Sequence, residues 1–163
     1  MLRSIALAVI LSALTACVGL SASSSAGPVP TYYVIRHLQK AAGDDPPLSA
    51  EGAANAQRLA GLLGDKGIAA IFATDTKRAR QTAEPLAALT GVAIQVYDPR
   101  DNEALARRAA ASSGSVLIVG HSNTVPAIVG ALHGIAPTAL DESDYGTIFA
   151  VARSDGLTTP IIL

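Results

Sequence analysis

The sequence is poor in cysteine, in aromatic residues and in charge. It has one cysteine in 163 residues, so the chain cannot form an internal disulfide. A net charge of −1, with 15% charged residues, gives no basic field and argues against nucleic acid as a partner. Half of the residues are hydrophobic, which excludes a disordered chain and allows a substantial core. The length favours one domain.

The first residues are typical of an export signal rather than of a folded domain. Arg3 precedes a short apolar run at residues 5–16, which is too short to span a bilayer as a stable helix. The segment after it is rich in Ser, Ala, Gly and Pro and has no periodicity, as in a flexible tether. The sequence therefore predicts a signal at 1–17, a tether at 18–30 and a folded domain at 31–163.

The single cysteine, Cys17, lies at the end of the predicted signal. It directly follows Leu14-Thr15-Ala16, which resembles the lipobox of bacterial lipoproteins, where the cysteine is lipidated after cleavage. We therefore expect an exported protein of the periplasm or cell envelope, held at the membrane by a lipid on Cys17. Simple secretion, with cleavage near Ala22 or Ala26, remains an alternative.

Apolar patterning predicts an α/β domain. Runs of apolar and β-branched residues predict strands at 31–36, 68–73, 92–97 and 115–119. Helical periodicity predicts helices at 49–63, 76–89, 102–111 and 124–132, with Pro85 bending or restarting the second. This alternation indicates three layers: a mainly parallel sheet with helices on both faces. The turn signal Ser154-Asp155-Gly156 predicts a C-terminal antiparallel hairpin, 147–151 with 158–163, at the sheet edge.

Two of the three histidines directly follow predicted strands. Arg36-His37 ends the first strand, and Gly120-His121 ends the fourth. Ligands of open α/β sheets bind at the carboxyl ends of the strands, so both imidazoles should meet at one rim. Arg78 follows the second strand and should reach the same rim. The start of the last helix, near Thr124, should add free backbone N–H groups, so we expect an anion site suited to phosphate.

Paired imidazoles suit chemistry on phosphorus. A neutral imidazole can attack phosphorus, and the resulting phosphohistidine splits one hard displacement into two easier ones. A second imidazole, held cationic by the bound phosphate, would stabilise the charge that develops on the phosphoryl oxygens. A metal site is not expected, because no imidazole or carboxylate pair has ligand spacing and the basic pocket would repel a cation.

Three segments together resemble the histidine phosphatase superfamily. They are Ile35-Arg36-His37, Lys77-Arg78-Ala79-Arg80-Gln81-Thr82-Ala83 and Val119-Gly120-His121-Ser122. By this resemblance His37 would be the phosphorylated nucleophile, and Arg36, Arg78 and His121 would hold the phosphoryl group. The resemblance implies a phosphatase that needs no metal or cofactor. Its partner would be a small phosphorylated substrate, either a phosphomonoester or phosphohistidine, or a phosphoprotein.

Other site residues follow from the same resemblance. The family's general acid usually follows the third strand, where Asp101 and Glu103 are both candidates. Ser122, Asn123 and Gln39 are expected to contact substrate.

The chain also departs from the family pattern. Leu38 and Gln39 replace the usual Gly or Ala followed by Glu, and Leu38 should be bulky beside the phosphate. A non-catalytic lipoprotein that binds a phosphate ligand is therefore an alternative function.

Overall fold

The computed structural model describes residues 29–163. The predicted export signal, Cys17 and the tether up to residue 28 lie outside the described residues. Within residues 29–163, no helix combines the length and the apolar character that crossing a membrane requires.

The described chain forms one mixed sheet with four helices. The strands are β1 (Thr31–Arg36), β2 (Ile68–Ala73), β3 (Ile94–Val96), β4 (Ser115–Gly120), β5 (Thr147–Ala152) and β6 (Thr158–Ile162). The helices are α1 (Ala50–Leu63), α2 (Lys77–Thr90), α3 (Asn102–Ala110) and α4 (Val125–Ala131). The strand order is β3-β2-β4-β1-β5-β6, in which β5 and β6 form an antiparallel hairpin at the edge and β1 to β4 are parallel. This confirms the predicted α/β fold.

Alternate residues of the strands build two cores, one on each face of the sheet. On β1, Tyr33 and Ile35 pack with the apolar faces of α1 and α2. Tyr32 and Val34, one position out of phase, pack with α3 and α4 instead. Successive strand side chains point to opposite faces, so a continuous apolar run is what a strand covered on both sides requires.

Two elements differ from the sequence expectations. β3 has three residues rather than six, because this edge strand pairs only with Ile71–Ala73 of β2 and its Gln95 and Val96 are exposed. α2 continues through Pro85 without a break. The buried residues Ala83 and Leu86 on either side of the proline are anchored in the core, so tertiary packing holds this turn helical.

The strand order brings the ends of β1, β4 and β2 together. Arg36 pairs with Gly120 across β1 and β4, and Ala73 pairs with Val119 across β2 and β4. The residues that follow these pairs, His37, His121 and Thr74, therefore leave the sheet side by side at the same rim.

Candidate active site

His37 is fixed in one orientation at this rim. Its backbone N–H donates to the carbonyl of Gly120 at 2.9 Å, and the residue is only 3% exposed. The ring atom Nδ1 lies 2.9 Å from the carbonyl oxygen of Leu38. Because a carbonyl can only accept, Nδ1 carries the proton, and Nε2 is left with a free electron pair.

His121 faces this ring from the end of β4. The two ring centroids are 5.3 Å apart, with the planes inclined at 65°. Nε2 of His121 is hydrogen-bonded to the hydroxyl of Thr74 at 2.9 Å, which orients the ring. The residue before His121, where the chain leaves β4, must be small. A β-carbon on Gly120 would lie 2.8 Å from Oγ1 of Thr124 and 3.2 Å from the hydroxyl of Tyr97.

Two arginines flank the imidazoles. Arg36 is 2% exposed, and its Nη1 donates to the carbonyl of Asp141 at 2.8 Å. Its guanidinium carbon lies 4.2 Å from the ring centroid of Tyr145, a cation–π contact. Arg78 approaches Asp45, with Nη1 and Oδ1 3.7 Å apart. The Nε–H groups of both arginines are buried and have no hydrogen-bond partner within the described chain. Buried donors of this kind are costly unless a ligand accepts from them.

These side chains enclose a cavity of about 430 Å³. It is lined by Arg36, His37, Lys40, Arg78, His121, Ser122, Asn123 and Glu142. Six of the residues predicted from the sequence thus meet in one place. Lys40 and Glu142 were not predicted. No local pattern marks Glu142, which reaches Arg36 across 106 positions of sequence.

The other predicted site residues lie elsewhere. Asp101 caps α3, where its Oδ1 accepts from the N–H of Ala104 at 2.8 Å. Glu103 is exposed beside Arg107, in a separate groove that also includes His133. Neither carboxyl group lines the cavity with the imidazoles, so the expectation that one of them lies beside the phosphate is not met: Asp101 is held by its cap at the start of α3, and Glu103 lies beside Arg107.

Gln39 and Leu38 also point away from the cavity. The amide of Gln39 binds two side chains of α1, donating to Glu51 and accepting from Asn55. Leu38 does not crowd the phosphate position as expected. It is fully buried in the core under α1 and α2, and its N–H donates to the hydroxyl of Thr82 at 3.0 Å.

The start of α4 offers fewer free donors than its sequence suggests. The N–H groups of Thr124 and Val125 both donate to the carbonyl of His121, at 3.1 and 3.0 Å. Those two donors are thus engaged within the turn, and the backbone donors left for an anion at this end of the cavity are those of Ser122 and Asn123, which line it.

Both imidazoles are neutral at pH 7 in the unliganded protein. Burial lowers the pKa of His37 from 6.5 to about 4; the hydrogen bond to Leu38 opposes this shift, and the nearby positive charges add to it. Burial also lowers the pKa of His121 to about 4, with the charges of Arg78 and Arg36 acting in the same direction. A cationic His121, as expected from the sequence, would thus require the negative charge of a bound phosphate.

These shifts predict a loss of stability in mild acid. Between pH 6.5 and 4 the unfolded chain binds protons at His37 and His121 that the folded chain does not, so the free energy of unfolding falls as the pH drops through this window. Asp98, whose bonds to Arg100 lower its pKa to about 2, contributes only below this range. Urea unfolding from pH 7 to 4 measures the slope. The double variant His37→Asn, His121→Asn should lose less stability over this range; an equal loss would contradict the prediction.

No group of three or more histidine, cysteine or acidic side chains suited to a metal ion occurs in residues 29–163. The cavity instead combines two neutral imidazoles with two guanidinium groups, a set that suits an anion.

A family model for the histidine phosphatase superfamily (branch 1) matches residues 33–100, the part of the chain that contains His37 and Arg78. Over these residues the chain matches the histidine phosphatase superfamily. None of the curated proteins matches the sequence significantly.

Solved structures of similar fold include several phosphatases. A protein from Agrobacterium tumefaciens assigned as the phosphohistidine phosphatase SixA is 24% identical, with a TM-score of 0.60 over 82% of this chain and 96% of that one. A SixA protein histidine phosphatase bound to tungstate is 21% identical, with a TM-score of 0.62 over 80% and 94%. A mycobacterial glucosyl-3-phosphoglycerate phosphatase is 17% identical, with a TM-score of 0.63 over 82% and 97%. At these identities the likeness concerns the fold.

Proposed function

We propose that this protein hydrolyses phosphomonoesters or phosphohistidine, without a metal ion, through a phosphohistidine intermediate on His37. The observation that carries the proposal is the state of the His37 ring. Nδ1–H is bound to the Leu38 carbonyl, and Nε2 is unprotonated in a cavity that also contains His121 and two arginines. This is the form of imidazole that attacks phosphorus.

In the first step Nε2 of His37 forms a bond to phosphorus as the bond from phosphorus to the leaving group breaks. The leaving group departs with the electron pair and takes up a proton from solvent water at the cavity mouth. The buried guanidinium groups of Arg36 and Arg78 stabilise the phosphoryl oxygens, and their unpartnered Nε–H groups gain acceptors. In the second step water attacks phosphorus, the bond to nitrogen breaks, and phosphate leaves neutral His37 behind.

A bound phosphate also changes the proton balance of the site. Its negative charge opposes the effect of burial and of the arginines on His121, so the pKa of His121 rises from its low value in the empty cavity. We propose that His121 takes up a proton with the substrate and then stabilises the transferring phosphoryl group as a cation.

The names of the relatives support phosphate bound to oxygen or nitrogen as the substrate chemistry. Two are SixA-type phosphohistidine phosphatases, and one acts on a phosphorylated sugar acid. The alternative of ligand binding without catalysis rested on Leu38, Gln39 and the uncertain general acid. Leu38 and Gln39 turn away from the cavity and leave room for a phosphate. Neither Asp101 nor Glu103 lines the cavity, so the leaving-group proton has no donor among the predicted acids, and the trapping experiment decides between the two functions.

Trapping the intermediate tests the proposal. The wild-type protein is mixed rapidly with ³²P-labelled 4-nitrophenyl phosphate, whose leaving group needs no proton donor, and denatured in alkali. We expect a protein-bound label that is stable in alkali, is lost in acid and maps to the peptide containing His37. EDTA should leave the rate unchanged. Turnover without such a label, or a label on another residue, would reject phospho-His37; phosphate binding without turnover would favour the non-catalytic function.

A further inference from the structure

One carboxylate lies inside the otherwise basic cavity. Among the described residues that line it, only Glu142 is acidic. Both of its oxygens are engaged: Oε2 accepts from Nη2 of Arg36 at 2.9 Å, and Oε1 accepts from the hydroxyl of Ser122 at 2.7 Å. Glu142 thus contacts two groups that were predicted from the sequence to bind substrate.

The position of Glu142 is set by its chain segment. The guanidinium of Arg36 donates to the carbonyl oxygens of Asp141 and Asp144, on either side of Glu142, at 2.8 and 3.4 Å. The N–H of Asp141 also donates to the carboxylate of Asp144, which closes the turn. Because these contacts fix the backbone, the carboxylate remains at the cavity mouth even when a ligand displaces its bond to Arg36.

Glu142 is charged at neutral pH. The hydrogen bond from Ser122 and the charge of Arg36 lower the pKa of its carboxyl group. The side chain is 78% exposed, so it lies where the cavity opens, rather than on its floor. A group attached to a bound phosphate must leave through this opening and pass close to the charge.

A second cleft adjoins the cavity at His121 and is also bordered by carboxylates. It has a volume of about 450 Å³, and its acidic lining residues are Asp75 and Asp98. Arg108 lines the cleft too, but its guanidinium donates to the carbonyl of Val96 and to the side chain of Gln95. Asp75 and Asp98 are paired with Arg80 and Arg100, so their charges are largely compensated. Glu142 is therefore the carboxylate that acts on a leaving group at the cavity mouth, against the opposing charge of Lys40, which also lines the cavity.

We propose that Glu142 is a specificity-determining residue, which favours phosphate carried by a cationic leaving group, such as an alkylammonium, over phosphate carried by an anionic one. This inference rests on the proposed function. In so small a cavity the leaving group lies within one screening length, about 8 Å, of the carboxylate. The negative charge attracts a cationic leaving group and repels a second anion, whereas the phosphoryl group itself remains bound to the arginines.

The experiment compares three phosphomonoesters of similar size: phosphocholine, propyl phosphate and 3-phosphoglycerate, whose leaving groups are cationic, neutral and anionic. We expect kcat/KM of the wild-type protein to fall in that order. Glu142→Gln should reduce the ratio of kcat/KM for phosphocholine to kcat/KM for 3-phosphoglycerate by about tenfold, since one charge at this distance acts oppositely on the two leaving groups. Glu142→Asp, which keeps the charge, should retain the preference.

The matched control is Glu84→Gln, which removes the same charge from an exposed position on α2, away from the cavity. It should leave the ratio unchanged. An unchanged ratio in Glu142→Gln would overturn the proposal. An equal gain for all three esters would overturn it as well, since that result means that the carboxylate only competes with phosphate for Arg36.

Failure of this inference can be separated from failure of the proposed function. If 4-nitrophenyl phosphate is hydrolysed through phospho-His37 but the three esters show no dependence on charge, only the inference fails. If nothing is hydrolysed, the proposed function fails, and calorimetric binding of the same three esters to wild-type and Glu142→Gln protein gives the ratio instead. A ratio of dissociation constants that is equal in both proteins then rejects the role of Glu142.

Discussion

Replacing His37 with asparagine is expected to lower kcat for 4-nitrophenyl phosphate by about 10³- to 10⁴-fold. Asparagine is polar and similar in size but has no nucleophilic nitrogen, so the covalent route is lost while the arginines remain. The loss corresponds to about 4 to 5 kcal/mol of transition-state stabilisation. Steady-state kinetics at pH 7 measure it, together with a thermal unfolding curve to show that the variant is folded.

His133→Asn is the matched control for this prediction. His133 is exposed after α4, in the left-handed region with φ of 61°, a conformation that asparagine tolerates. It does not line the cavity. We expect its kcat to stay within about twofold of the wild type. A His37→Asn protein that keeps a tenth of the wild-type kcat would show that another group attacks phosphorus.

Gly52→Ala is expected to destabilise the protein by about 2 to 3 kcal/mol, which lowers the melting temperature by about 5 to 10 °C. Gly52 is buried in the first turn of α1. A β-carbon there would overlap the carbonyl oxygen of Gln39 and come within 3.0 Å of its carbonyl carbon. The obstacle is backbone, so either α1 or the segment after His37 must move. We therefore expect kcat to fall as well.

Gly61→Ala, in the same helix, is a control whose expected effect on stability has the opposite sign. Gly61 is exposed in α1, and a β-carbon there would meet nothing within 4 Å. Alanine is favoured over glycine inside helices by about 1 kcal/mol, so Gly61→Ala should stabilise the protein by up to that amount. Thermal unfolding of both variants separates the effect of helix propensity on stability from the effect of the contact between Gly52 and the backbone of Gln39. Equal effects of the two substitutions would refute the role of Gly52 in positioning the His37 segment.

The central strands could be predicted from the sequence almost to the residue. β1, β2 and β4 are apolar runs that end in polar or glycine residues, and burial on both faces makes such runs unambiguous. β3 was predicted too long, because the length of an edge strand depends on how much of its neighbour it can pair with. The strand propensity of residues 92–97 does not show how many of them can pair with β2.

The basic half of the site could also be predicted, since parallel strands deliver the residues that follow them to one rim. The segment that carries Glu142, the acidic residue of the cavity lining, could not be predicted. Glu142 and Tyr145 lie in an irregular segment before β5, and they contact Arg36 across 106 and 109 positions of sequence. The orientations of the Asp101 and Gln39 side chains could not be predicted either. Each is set by a hydrogen bond in the folded protein, from Ala104 to Asp101 and from Asn55 to Gln39.

The hydrogen bonds of Arg36 to Asp141 and Asp144 have a consequence for biosynthesis. His37, the proposed nucleophile, directly follows β1, whereas Asp141 and Asp144, which bind Arg36, come 105 and 108 positions after Arg36 in the sequence. A nascent chain that ends just after His121 already contains both imidazoles but still lacks residues 141–144 and β5. Ester hydrolysis should therefore begin only once residues 141–144 have been synthesised and have folded against Arg36.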